Sequence, residues 1–148
     1  MPELEVLLWP QDRQLERESV AEVWARDGFS CDLWVDPPGQ EWIDFVHSTD
    51  ERVVVKEGRL EFEIQGARAT LEPGDQVLIP AGSRHSVWNR GSTTACWFYG
   101  YKRHWGLPAA AMVQGIDGLA AHSRDKRKLQ PDWKRICLLN PIFLAINP

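Results

Sequence analysis

Between residues 42 and 103 apolar and polar positions alternate with a period of two almost without a break. The clearest stretch sets Leu60, Phe62 and Ile64 against Arg59, Glu61, Glu63 and Gln65. That is the pattern of a strand with one face buried and one in water. Glu51, Val53 and Val55 share another face before the turn at Glu57-Gly58. Gln65-Gly66, Pro73-Gly74-Asp75, Pro80-Ala81-Gly82-Ser83 and Arg90-Gly91-Ser92 punctuate the rest, because glycine and proline supply the dihedral angles that tight turns require. About seven or eight short strands result, with turns every ~8–12 residues. No helical pattern of useful length separates them. Antiparallel strands in this number bury their apolar faces only in a sandwich or a barrel, so the fold is predicted to be all-β.

Upstream the pattern is mixed. Residues 4–9 read as a short strand ended by Pro10, and residues 11–27 are charged, with Leu15, Val20, Val23 and Trp24 at loose helical spacing. Phe29, Cys31, Leu33 and Val35 alternate as a strand that stops at Asp36-Pro37-Pro38-Gly39. The chain thus divides into an N-terminal segment (1–28), a barrel (29–105) and a C-terminal extension (106–148) whose structure the pattern does not define.

Composition narrows the function classes. The net charge of −4 is uneven: six basic and three acidic residues from 106 onward give +3, leaving −7 on residues 1–105. An acidic body repels phosphate backbones, so no nucleic-acid partner is expected, and the run Arg124-Asp125-Lys126-Arg127-Lys128 reads as a solvated face. No apolar stretch reaches the roughly 18 residues that span a bilayer, and no signal peptide is recognisable. Neither a membrane partner nor export is expected. Three widely spaced cysteines do not build a Cys-based zinc site, and a reducing cytoplasm is the expected compartment. Eight tryptophans in 148 residues are many, and such large rings belong in a core, a ligand cavity or an interface.

The candidate chemistry lies with the histidines. His47 is followed four positions later by Glu51, and His85 sits between Pro80-Ala81-Gly82 and Asn89. The spacing Gly74, Pro80, Gly82, His85, Asn89 resembles the second sequence motif of the cupin family, and His47, Glu51, Gly58 resembles the end of the first. The resemblance covers roughly residues 29–103. It implies a cupin-type jelly-roll β-barrel holding one divalent transition metal ion (Fe, Mn, Ni and Zn are not distinguished) on His47, Glu51 and His85. It also implies a metal-dependent enzyme, such as a dioxygenase, isomerase or lyase, acting on a small polar or aromatic molecule. The alternative is a non-catalytic module that binds or senses a small ligand or metal. A homodimer is implied too, through residues 4–9 or the apolar stretch 136–146.

The chain departs from the family pattern at one point. Phe45 stands where the first motif usually has a further histidine. Two imidazoles and one carboxylate remain, a set that suits Fe(II) and related ions and leaves coordination positions open. No catalytic acid or base is identifiable. Phe45, Trp97, Tyr99 and Tyr101 are the candidate pocket wall, although strand parity alone leaves open which face of residues 95–103 turns inward. His104 and His122 read as surface residues, and Asp44, by alternation, faces away from the site.

Overall fold

A computed structural model describes residues 4–103. It contains nine strands and one helix: β1 (Leu7–Leu8), α1 (Arg17–Arg26), β2 (Asp32–Asp36), β3 (Glu41–Phe45), β4 (Glu51–Glu57), β5 (Leu60–Ile64), β6 (Ala67–Leu71), β7 (Asp75–Ile79), β8 (His85–Trp88) and β9 (Ala95–Tyr101). The expectations for His104, His122, the basic run and the C-terminal extension lie outside the described residues.

The strands form two antiparallel sheets. One has the order β1-β7-β4-β9-β2 and the other β3-β8-β5-β6. Their facing sides enclose a core that includes Trp34, Val53, Val55, Leu60, Phe62, Leu71, Ile79, Trp97 and Tyr99. The all-β prediction holds.

A second core lies on the outside of the five-stranded sheet. Val20 and Trp24, one helical turn apart on α1, pack there with Leu33, Val35, Val54, Cys96 and Phe98. The charged segment 11–27 therefore contributes a helix whose apolar stripe covers the sheet. Consequently β4 and β9 are buried on both faces, and the parity of β9 is settled. Ala95, Trp97 and Tyr99 turn into the space between the sheets, and Cys96 and Phe98 turn toward α1.

The period-two alternation that begins at residue 42 does not continue as one strand through His47. Instead β3 ends at Phe45, and its register with β8 shifts between Trp42 and Phe45. Asp44 adopts φ 57° in this bulge. Its N–H donates to Ser86 Oγ at 2.9 Å and its side chain faces solvent, 3.8 Å from Arg84. A bulge adds a residue to one strand and re-aims the residues after it. Here it releases residues 46–50 as a loop, from which His47 re-enters the interior.

Candidate metal centre

Three elements deliver the three side chains. Glu51 opens β4, flanked in register by Ile79 of β7 and Tyr101 of β9. His85 opens β8 in the opposite sheet, paired with Phe45 and Ile64. His47 comes from the loop between β3 and β4. The turn before His85 needs a left-handed residue, and Gly82 supplies it with φ 76°. Gly58, at φ 79°, lets the β4–β5 turn press against β9. A Cβ there would sit 2.8 Å from Ala95 Cα.

The two turns are tied to each other. Gly82 N–H donates to His47 O at 2.8 Å, and Ala81 N–H donates to Asp50 Oδ1 at 2.8 Å. Lys102 N–H donates to Asp50 O at 2.9 Å, and Thr49 Oγ1 donates to Lys102 O at 2.7 Å. The loop carrying His47, the turn carrying His85 and the end of β9 thus hold one another in place.

The predicted trio converges. His47, Glu51 and His85 are 6%, 0% and 2% exposed. His47 Nε2 lies 2.8 Å from Glu51 Oε2, and His85 Nε2 lies 3.6 Å from the same oxygen. All candidate ligand atoms fall within 4.8 Å of one another. Each imidazole is also held from behind: His47 Nδ1 is 2.6 Å from Thr49 O and His85 Nδ1 is 2.9 Å from Ser83 O.

A carbonyl oxygen only accepts, so both Nδ1 atoms carry the proton. In the neutral rings, both Nε2 lone pairs then point at a carboxylate that also only accepts. A proton on one Nε2 or a metal ion between the three groups satisfies such an arrangement. Imidazole nitrogens and a carboxylate are the donors that divalent transition ions prefer, and backbone carbonyls behind the rings fix the tautomer a metal needs. Donors about 2.0–2.2 Å from one ion lie no more than about 4.4 Å apart, so the widest separation here closes by a few tenths of an ångström on binding. The donor set therefore fits a divalent metal ion.

Aromatic rings frame the trio. Tyr101 lies edge-on to His47, with ring centroids 5.1 Å apart, and Phe45 stands 6.2 Å from His85. Tyr99 follows Tyr101 at 5.9 Å, and Trp97 follows Tyr99 at 6.0 Å. The four candidate wall residues thus extend from the trio along the interior, Trp97 being the farthest along the strand.

One buried group escaped the sequence reading. Asp36, at the end of β2, is 1% exposed and accepts three indole N–H groups. Trp34 and Trp42 donate to Oδ1, each at 2.9 Å, and Trp97 donates to Oδ2 at 3.0 Å. Asn89 Nδ2 donates to the Asp36 carbonyl at 3.0 Å. Three of the chain's tryptophans thus converge on one carboxylate. In the sequence Asp36 looked like an ordinary turn residue before Pro37-Pro38, and the only available hint was the excess of tryptophan.

Residues 32–101 match the cupin domain family, and this barrel is a cupin domain. No curated protein matches the chain. Among solved structures, it resembles TT1209 from Thermus thermophilus, at 28% identity over 51% of this chain and 74% of that one, with a TM-score of 0.47. It also resembles a Cupin 2 conserved barrel domain protein from Salinispora arenicola, at 29% identity over 64% of this chain and 71% of that one, TM-score 0.48. A mutant salicylate 1,2-dioxygenase from Pseudoaminobacter salicylatoxidans is 20% identical over 51% of this chain and 21% of its own length, TM-score 0.47.

Proposed function

We propose that this cupin domain binds one divalent transition metal ion through His47, Glu51 and His85 and acts as a metal-dependent enzyme on a small molecule. The observation that carries the reading is the convergence of two Nδ1-protonated imidazoles on one buried carboxylate. When bound, such an ion supplies a Lewis acid with open positions for a small anionic ligand or dioxygen. The chain's own residues do the rest. The Thr49 and Ser83 carbonyls hold the imidazoles in one tautomer, the Asp50 and Gly82 contacts keep the two turns together, and Phe45 and Tyr101 screen the trio from water.

Metal analysis tests this directly. Protein dialysed against Zn(II), Fe(II), Mn(II) or Ni(II) should retain about one equivalent of at least one of them. His85→Ala and Glu51→Gln should weaken that binding at least a hundredfold, since each removes a direct ligand. Full metal retention by His85→Ala would refute the assignment. Phe45 favours a second reading, because a histidine there would add a further ligand. In that reading the protein is a non-catalytic binding or sensing module, which a ligand would stabilise without turnover. A homodimer fits the edge strand β1, where Leu7 and Leu8 are 54% and 70% exposed. Light scattering in solution checks that state.

A further inference from the structure

Two runs of rings leave the candidate metal centre. One passes from His47 to Tyr101, Tyr99 and Trp34, with centroids 5.1, 5.9 and 5.8 Å apart, and reaches Trp42 after a last step of 5.3 Å. The other passes from His85 across Phe45 to Trp42 in steps of 6.2 and 5.9 Å. Both runs end on Trp42. Trp34 and Tyr99 are closed to solvent, whereas Trp42 keeps accessible surface. The first run uses both tyrosines of the chain. Tyrosine and tryptophan are the aromatic side chains that give up an electron most readily, so an electron can cross this run in short steps.

The chemistry of Asp36 is a second, independent observation. The carboxylate is 1% exposed, and the N–H groups of Trp34 and Trp42 point at its Oδ1 while that of Trp97 points at its Oδ2. Burying a carboxylate is costly, and apolar packing alone closes a cluster of indoles. A negative charge beside an indole does what packing does not. It stabilises the positive charge left on the ring when an electron departs, and Oδ1 lies in place to accept the N–H proton. Both effects are larger in a dry interior than in water.

We propose that the indoles held on Asp36 are an internal electron donor to the metal centre, and that Trp42 is the ring that finally carries the loss. The proposal rests on the metal-centre reading, with iron as the ion and a peroxide as the oxidant. Hydrogen peroxide takes up two electrons, and two protons from solvent, and leaves as two water molecules. Fe(II) supplies one electron in becoming Fe(III), and Trp42 supplies the other. The indole N–H proton passes to Asp36 Oδ1, which leaves a neutral indole radical. A thiol or ascorbate in solution returns the electron at the accessible ring, and Asp36 returns the proton. The arrangement draws oxidation away from His47 and His85, the oxidisable groups nearest the ion.

The test mixes the Fe(II)-loaded protein with one equivalent of hydrogen peroxide, without added reductant. Samples are freeze-quenched for electron paramagnetic resonance and digested for residue-resolved mass spectrometry. A tryptophan radical should appear, with oxygenated Trp42 as the main product and little oxidation of His47 and His85. The Zn(II)-loaded protein, whose ion does not change valence, should give neither signal. Asp36→Asn should lower the radical yield at least about fivefold and raise oxidation of the two histidines. Trp42→Phe should raise histidine oxidation as well, with Fe(II) content unchanged in both variants. A merely structural role for Asp36 leaves the division of oxidation between Trp42 and the histidines where it was. Histidine oxidation at the wild-type level in either variant therefore overturns the proposal. Oxidation of His47 and His85 without Trp42 in the wild-type protein overturns it too, as does equal oxidation of Trp42 in the Zn(II)-loaded protein, which marks peroxide in solution as the oxidant. Uptake of Zn(II) but not Fe(II) overturns it and leaves the metal centre standing, whereas uptake of no ion at all removes both readings.

Discussion

Replacing Asp36 by Asn tests whether the indole cradle is held by charge and by direction. The carboxylate offers only acceptors, and three N–H groups point at it: two at Oδ1 and one at Oδ2. An amide placed there with its oxygen toward Trp34 and Trp42 must turn its NH2 toward the Trp97 N–H, donor against donor. Flipping the amide is worse, since two indoles would then face the NH2. The best arrangement leaves the Trp97 N–H and the amide NH2 facing each other with no acceptor between them, at about 1–3 kcal/mol, and demotes two charge-assisted bonds to neutral ones, at about 0.5–1.5 kcal/mol each. Removing the buried charge returns part of this. A net loss of about 2 kcal/mol is expected. Trp97→Phe removes the donor that the amide opposes, so its effect in the Asp36→Asn background should be smaller than in wild type. The double-mutant cycle, measured by urea unfolding with circular dichroism, should give a coupling energy of about 1–3 kcal/mol. Additivity within about 0.5 kcal/mol would refute the donor–donor argument.

Two further outcomes concern the helix side of the barrel. Cys31 lines a cavity of about 260 Å³ together with Ala25, Phe29 and Arg103, and desolvation by burial pushes its thiol from 9.0 up to about 12. Raising a thiol's pKa removes thiolate at neutral pH, so disulfide exchange at Cys31 with an aromatic disulfide at pH 8 should run roughly fifty-fold slower than at an ordinary cysteine, after allowing for the greater nucleophilicity of the more basic sulfur. Read out by mass spectrometry of the Cys31 peptide, the rate should keep climbing above about pH 10, whereas a plateau near about pH 9 would contradict this. Gly100→Ala places a Cβ 1.7 Å from Ser30 O and 2.7 Å from Ser30 C. These are backbone atoms, so β9 must part from the segment that Ser30 and Tyr101 join through their N–H bonds at 3.0 and 2.9 Å. A loss of about 3 kcal/mol or more is expected, and a change below about 1 kcal/mol in the urea-derived stability would contradict the crowding argument.

The β5–β6 hairpin shows what was legible. Leu60, Phe62 and Ile64 alternate cleanly with charged residues because one face of β5 meets the core and the other meets water. Here the pattern and the structure agree residue for residue. The trio was legible for a different reason. Gly58, Gly74, Pro80 and Gly82 stand at the spacings of the cupin motifs, and it is that resemblance which singles out the histidines and the glutamate.

Elsewhere the chain was silent. In β9, Ala95 to Tyr101 is apolar or aromatic at nearly every position, because α1 covers the face that would otherwise carry polar residues. Alternation encodes a difference between two environments, and a strand buried on both sides has none to encode. Asp36 was missed for a related reason. Which groups surround the carboxylate depends on which strands meet: Trp34 and Trp42 are near it in sequence, but Trp42 reaches it from the opposite sheet and Trp97 from a strand some sixty positions later. The sequence by itself determined the period of the strands and the places where they turn, since these depend on neighbours along the chain, and its resemblance to the cupin motifs pointed to His47, Glu51 and His85 as the candidate trio. Only the tertiary structure decided which rings face inward, that the imidazoles are backed by carbonyls, and that three indoles share one buried charge, since these depend on which strands meet.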